Sequence, residues 1–450
     1  MNLIRSALVV FVVAVMGLSY ASAHDGDGGG KGIGGSGGAG SGGTGPFDYS
    51  GVTFHANLTL GQLGNLGASN VIGNDVWGWT DQASGREFAL MGLTNGTSFV
   101  EVTNPDAPVY LGTLRATNGT VNTAWRDIKV YNNQAYIVAD FQNSVTGASR
   151  EHGVQVFDLN NLLTASAADP NNPTFFDEVG VYNGVNRAHN IVINEDSGFA
   201  YVVGSNAASG GLHVLDLNGA AGEMPTFAGN FSADGYTHDA QVVNYVGPDS
   251  DYAGKEIAFN SNEDTLTIVD VSDKSNMTQI SRAGYSESEY AHQGWLSEDH
   301  RYFFMNDELD EFRSDSVIPT RTQIWDVSDL DNPTYIGFHE GEESTIDHNL
   351  YVKGDLIFQA NYTSGLRILQ INDASTMDLE EIGYFDTFSA NNAVNFNGAW
   401  SVFPYFDSGT VLISDRQGGL FVVSVVPEPG SIAIFGLLGL AFCARRRRVS

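Results

Sequence analysis

The stretch Thr265–Val271, TLTIVDV, is one of seven related segments along the chain. The others are Ser98–Val102 (SFVEV), Gly153–Leu159 (GVQVFDL), Gly211–Leu217 (GLHVLDL), Thr322–Val327 (TQIWDV), Gly365–Ile371 (GLRILQI) and Gly419–Val425 (GLFVVSV). Each is short, apolar and rich in β-branched residues, which reads as a buried strand. With the fourth motif position as a ruler (Glu101, Asp158, Asp216, Asp270, Asp326, Gln370, Ser424), the spacings are 57, 58, 54, 56, 44 and 54 residues. A period of that length means one supersecondary unit that cannot bury its own face and stacks on its neighbours. Seven four-stranded units close into a ring, so the expected fold is an all-β, seven-bladed β-propeller.

The second unit sets the pattern: Trp125–Val130 and Gln134–Ala139 read as two strands, the motif as a third, and Thr174–Val181 as a fourth. Asn-Pro turns follow the motif at Asn104-Pro105, Asn172-Pro173 and Asn332-Pro333. A proline there precedes an outer strand, where its missing N–H costs little. The last unit stops after its motif strand because Pro427 follows at once. Val52–Leu60 (VTFHANLTL) precedes the first complete unit as a lone strand, so it is expected to complete the seventh blade and remove the open edge. The aspartate of the motif occurs in four copies, with Glu101, Gln370 and Ser424 in the other three. An obligatory catalytic or metal-binding role is not expected of that position.

The ends have other tasks. Residues 1–23 read as a secretory signal: Arg5, an apolar stretch from Ala7 to Leu18, then Ala21-Ser22-Ala23 as a cleavage site for signal peptidase. His24–Gly45 holds 13 glycines in 22 residues and reads as a flexible tether. The propeller is expected over residues 46–426. Residues 427–450 begin with Pro427-Glu428-Pro429, run through the 14-residue apolar segment Ser431–Ala444, and end with Arg445–Arg448 and two further residues. That apolar run is short for a membrane span, which usually needs about 17–25 residues, and the arginines favour the cytoplasmic side. This arrangement resembles the bacterial PEP-CTERM sorting signal. The resemblance implies recognition of Pro427, Glu428 and Pro429 by an exosortase and removal of the tail during export. The protein would touch the inner membrane only transiently and end at the cell surface or outside the cell.

Composition narrows the function classes. The formal net charge is -32, even with the tail arginines included. So acidic a surface repels nucleic acid and anionic membranes. The single cysteine, Cys443, lies in the terminal apolar run, so the exported body has neither disulfides nor thiol chemistry. The chain contains no Gly-x-Ser-x-Gly elbow, His-Glu-x-x-His helix or Walker loop.

A second recurring motif precedes the innermost strand of several units: His189-Asn190, His238-Asp239, His292-Gln293 and His348-Asn349. Trp125-Arg126-Asp127 stands there in the second unit, Asp75-Val76-Trp77 in the first and Trp400 in the last. The candidate ligand-binding residues at one mouth of the central channel are therefore Trp77, Trp125, Arg126, Asp127, His189, His238, Asp239, His292, His348 and Trp400. Imidazoles ligate transition metals and act as general bases. Equally, each can bond the backbone of a neighbouring blade, and repetition in blade after blade favours that packing role. The acidic loop Asn306–Glu311 offers Asp307, Glu308, Asp310 and Glu311 as oxygen ligands for a hard cation such as calcium.

The sequences at 125–130 (WRDIKV), 188–194 (AHNIVIN), 236–241 (YTHDAQ), 291–300 (AHQGWLSEDH) and 306–311 (NDELDE) are similar to the choice-of-anchor B family, and LTIVDV resembles its LVIVD repeat. The resemblance spans about residues 50–425. It implies exported bacterial propellers that end in different surface anchors, with no defined biochemical activity. Two functions follow as expectations. One is a non-catalytic surface or matrix protein that binds polysaccharide or another protein. The alternative is an extracellular hydrolase or lyase, with or without a metal, working at the histidine-rich mouth.

Overall fold

The fold was analysed in a computed structural model describing residues 47–64, 71–117, 123–141, 151–220 and 222–426. The expected signal (1–23), glycine tether (24–45) and sorting segment (427–450) lie outside the described residues.

Seven antiparallel sheets of four blade strands follow one another along the chain. The fourth blade, which carries TLTIVDV, runs Asp239–Asn244, Glu256–Ser261, Leu266–Asp270 and Thr278–Ala283 from channel to rim. The motif strand is third in every blade. Its side chains are buried on both faces, as with Leu266, Thr267, Ile268 and Val269, because another blade lies on each side. Aliphatic side chains fill most of the space between blades, and three blade boundaries add aromatic pairs: Phe99 stacks on Phe157 at 4.5 Å, Phe259 on Phe303 at 5.7 Å, and Phe385 meets Phe421 at 5.6 Å. Such pairs add about 0.5–1.5 kcal/mol each beyond the area they bury.

The motif aspartates have a local task. Asp158, Asp216, Asp270 and Asp326 each accept the backbone N–H two residues on, from Asn160, Asn218, Ser272 and Ser328, at 2.9–3.0 Å. These Asx turns end the third strand and start the chain outward. Immediately before the aspartate position the outer strand carries one extra residue in six of the seven blades. Bulges of this kind sharpen the right-handed twist that each blade needs to fit the ring.

The closing strand is Val52–Leu58, paired antiparallel with Gly419–Val425 from Val52↔Val425 to Leu58↔Leu420. It has the same bulge, at His55, as the outer strands of the other blades. The chain reaches it through a feature the sequence did not reveal. Tyr49–Ser50 first pairs with the outer strand of the sixth blade, opposite Phe385 and Tyr384. Gly51 then turns the chain into the seventh blade at φ +66°, where a Cβ would lie 2.2 Å from the Ile382 carbonyl oxygen. Phe47 and Phe54 pack on Phe385, and Phe47 also packs on Phe421, sealing the seam.

One expected strand divides. Thr174–Val181 is not a single fourth strand of the second blade: Phe175–Phe176 pairs in parallel with Val109–Arg115 of the first blade, and only Gly180–Tyr182 pairs with the motif strand Val154–Asp158. Arg115 lies over the Phe175 ring at 3.7 Å, and Phe176 packs against Phe99 and Phe157, which draws that dipeptide across the blade boundary.

Deleting residues 46–58 should open the ring at the seventh blade. The expected result is a melting temperature lower by ~10 °C or more, since a buried strand with its aromatic seam is lost. An unchanged melting temperature on calorimetry would show that closure does not depend on this strand.

Candidate functional site

The channel is lined by the first strand of each blade, and hydrogen bonds between blades define equivalent positions. The imidazole Nδ1 of His238 donates to the backbone oxygen of His292 at 2.9 Å; that of His292 donates to the oxygen of His348 at 3.1 Å; and that of His348 donates to the oxygen of Trp400 at 2.5 Å. A carbonyl oxygen only accepts, so these contacts place the proton on Nδ1 and leave Nε2 with a lone pair. At the next position along, Asp75, Asp127 and Gln293 accept the backbone N–H of Ile128, Ile191 and Leu350 from the following blade. Each such bond is worth about 1 kcal/mol net, and together they fix the blades in register around the channel.

The first of these positions is thus occupied by Arg126, His189, His238, His292, His348 and Trp400. Neighbouring rings nearly touch, with centroids 4.3 Å apart for His189–His238, 4.2 Å for His238–His292, 4.3 Å for His292–His348 and 4.4 Å for His348–Trp400. They line a recess at the channel mouth together with Asp75, Trp125 and Asp127. His238, His292 and His348 are only 2%, 2% and 4% exposed, so an ion or a water reaches them but a sugar chain does not. Burial holds all three neutral: His238 and His292 are pushed well below the usual imidazole range, and His348 down to about 3.

Arg126 takes the arginine route to the same packing role. Its Nε donates to the Leu93 carbonyl at 2.9 Å and its Nη1 lies 3.0 Å from Nε2 of His152. Burial lowers its pKa to about 9, and burial with the adjacent guanidinium lowers that of His152 to about 3. His152, outside the recurring motif, could not be connected to this site from the sequence.

Two of the expected mouth residues lie elsewhere. Trp77 does not line the recess. It sits two residues further along its strand than the Asp75 position, packed against Phe403 (5.1 Å) and Tyr351 (5.8 Å) with the Lys129 ammonium over its ring at 4.4 Å. Asp239 also lies off the recess lining, within electrostatic reach of Asp127 and Lys129. Here Lys129 bonds Asp127 at 2.6 Å and approaches Asp75 at 3.5 Å. Burial works against the Lys129 ammonium, but these carboxylates outweigh it and raise its pKa well above the ordinary value. Burial raises Asp75 strongly and pushes Asp239 up to about 7, with Asp127 adding to the latter.

The acidic loop does not form one ion cage. Asp307 is occupied by the backbone N–H groups of Glu289 and Tyr290 and the hydroxyl of Tyr285. Asp310 and Glu311 open the short helix Asp310–Arg313 and turn inward toward buried Asp347. Burial raises Asp310 to about 7, and burial with Asp347 and Asp310 nearby raises Glu311 to about 12. Glu308 alone leaves the loop for the mouth: its Oε2 lies 3.7 Å from Nε2 of His292 and its Oε1 3.8 Å from Nε2 of His348. The Tyr362 hydroxyl donates to Oε1 at 2.6 Å, opposing the burial that brings Glu308 up to about 7. His292, Glu308 and His348 thus form a group able to hold a metal ion. The histidine motif and the acidic loop, separate in the sequence, meet at this point. Tyr362 and Tyr290, which packs against His238 at 5.2 Å, also belong to the mouth and carried no recurring signature.

Among known families, the PEP-CTERM protein-sorting motif matches residues 425–448. The chain therefore carries the signal of an exported protein processed by exosortase and associated with the cell surface. A search of curated proteins finds no match. A crystal structure of a protein from Lactobacillus plantarum is similar over 77% of this chain and 89% of its own, at 14% identity and a TM-score of 0.48.

Asp239 sets a pH dependence of stability. Its folded pKa of about 7 lies above the unfolded value of ~3.9. Between those values the folded state holds a proton that the unfolded state has lost, so stability is full below about pH 4 and falls as pH rises through 7. Asp239→Asn should relieve ~2–3 kcal/mol of this loss at pH 8 while changing little at pH 4, allowing for water in the channel. Denaturant melts of both proteins at the two pH values measure it. An equal effect of the substitution at both would contradict the assignment.

Proposed function

We propose that this propeller is an exported cell-surface or extracellular-matrix protein that works by binding polysaccharide or a surface protein at its channel-mouth face. The resemblance to the choice-of-anchor B family belongs to the same reading: a propeller body joined to an interchangeable surface-sorting segment. The supporting observation is an aromatic shelf outside the enclosed histidines. Phe312 is 53% exposed and packs on Phe396 at 5.2 Å, which in turn meets Tyr362 at 5.4 Å. Flat apolar rings facing water at the edge of a polar recess suit the faces of sugar rings or an aromatic anchor of a protein partner. The formal charge of -32 favours neutral over anionic polymers.

The alternative, a metal-dependent hydrolase or lyase, draws its support from the convergence of His292, Glu308 and His348. The enclosure of those imidazoles argues against direct attack on a polymer.

Binding of neutral and anionic extracellular polysaccharides by the purified body, with Phe312→Ser and Phe396→Ala beside it, tests the proposal. Loss of two aromatic contacts should weaken neutral-polymer binding by about 10-fold or more, as a few kcal/mol of stacking would require. Equal binding by parent and variants would remove the shelf from the function. Polymer cleavage, seen as new chain ends, would favour the enzyme.

A further inference from the structure

We infer that the channel mouth is a binding site for a divalent transition metal of the zinc class, held by Nε2 of His292, Nε2 of His348 and a carboxylate oxygen of Glu308. The argument begins with lone pairs. The backbone oxygens of His348 and Trp400 occupy the two Nδ1–H donors, so both imidazoles turn a bare Nε2 toward Glu308. The carboxylate offers a further pair of acceptor oxygens at 3.7 and 3.8 Å from these nitrogens. Those separations exceed hydrogen-bond reach. Among the described residues no proton donor bridges the carboxylate and the two imidazoles, so three electron-pair donors face one another, an arrangement that a small cation satisfies.

The spacing suits the ion. Bonds of about 2.0–2.1 Å at a tetrahedral angle place two ligand atoms about 3.3–3.4 Å apart. The nearest carboxylate–imidazole gaps, 3.7 Å to one oxygen and 3.8 Å to the other, exceed that by less than half an ångström, and one ligand atom from each of the three residues lies within 4.8 Å of the others. The group therefore closes on an ion by shifts of at most about 1.5 Å at the tips of side chains anchored at their far ends. Ligand chemistry narrows the class, since two imidazoles with one carboxylate suit zinc and its first-row neighbours, whereas calcium and magnesium prefer oxygen alone. The outer partners are those expected around such a centre. Backbone carbonyls orient both imidazoles, and the Tyr362 hydroxyl orients Glu308 through a 2.6 Å hydrogen bond. A tetrahedral ion held by three protein ligands keeps one position for a water or a ligand group. The inference does not depend on which polymer, if any, the outer shelf recognises.

The test uses the exported protein, stripped with a chelator and titrated with zinc chloride by calorimetry, with cobalt(II) as a spectroscopic probe. One equivalent should bind, and the cobalt form should show the intense visible bands of a four- or five-coordinate site. Glu308→Gln and His292→Gln should each weaken zinc binding by at least about 100-fold, and Tyr362→Phe by about 10-fold, because loss of an outer partner alone typically costs about 10–100-fold. His339→Gln should bind as the parent does, since His339 lies on the outer strand Thr334–Glu340 of the fifth blade and outside the group of three. Circular dichroism checks the fold of each variant; if His292→Gln is unfolded, Glu308→Gln and Tyr362→Phe decide. No stoichiometric zinc in the parent would overturn the inference, as would equal affinity in folded Glu308→Gln, which would move the metal to another site such as Asp249, Asp329 and Asp331. Polymer binding without metal binding would sink this inference while leaving the proposed function standing.

Discussion

Every blade here depends on a closed ring, because a four-stranded sheet buried on both faces is stable only with a neighbour on each side. The pairing of Val52–Leu58 with Gly419–Val425 supplies the final neighbour. Without it the seventh blade would present a bare edge, and the aromatic seam of Phe47, Phe54, Phe385 and Phe421 would face water. The recurring bulge belongs to the same constraint. Each blade must twist by a similar amount for the ring to meet itself, and one extra residue at the same place in six outer strands provides that uniformity.

Closure also explains how a polar ring survives at the channel mouth. Strands converging on an axis leave backbone carbonyls facing the next blade, and side chains that donate across the gap satisfy them. Histidine serves this purpose while leaving a second nitrogen for other use. His238, His292 and His348 therefore fill the packing role with one nitrogen only, so the packing role does not use up their capacity to bind. One nitrogen joins the blades and the other faces the recess. Arg126 satisfies the Leu93 carbonyl without offering a lone pair, so the potential ligands gather on one side of the ring.

Much of the architecture was legible in the sequence because strand periodicity and repetition reinforce each other. The motif strand announces itself seven times, and the missing outer strand of the last unit points to its replacement near the N-terminus. Less legible were features set by partners rather than by local pattern. Phe175–Phe176 leaves its own blade for rings and a guanidinium that belong partly to another. Trp77 looked equivalent to Trp125 because both stand in a polar-aromatic tripeptide. The blade-to-blade hydrogen bonds show instead that Asp75 matches Asp127, which puts Trp77 beside Lys129. Glu308 was read with its acidic neighbours, yet it alone meets the histidines, because the short helix beginning at Asp310 turns the next two carboxylates inward.

The seam has a mechanical consequence. The sorting motif begins at the end of Gly419–Val425, a strand flanked on one side by Thr410–Asp415 and on the other by Val52–Leu58. The last backbone bond of this region, from the Val426 N–H to the Gly51 oxygen, ties that end to the turn between the sixth and seventh blades. A body held to a surface through this end would transmit flow or adhesion forces into two hydrogen-bonded ladders at once. Had the chain ended on an outer strand, the same tension would peel a single edge bond by bond. By lending its N-terminal strand to the last blade, the fold leaves the sorting motif at the end of a clamped interior strand rather than at a zipper's edge.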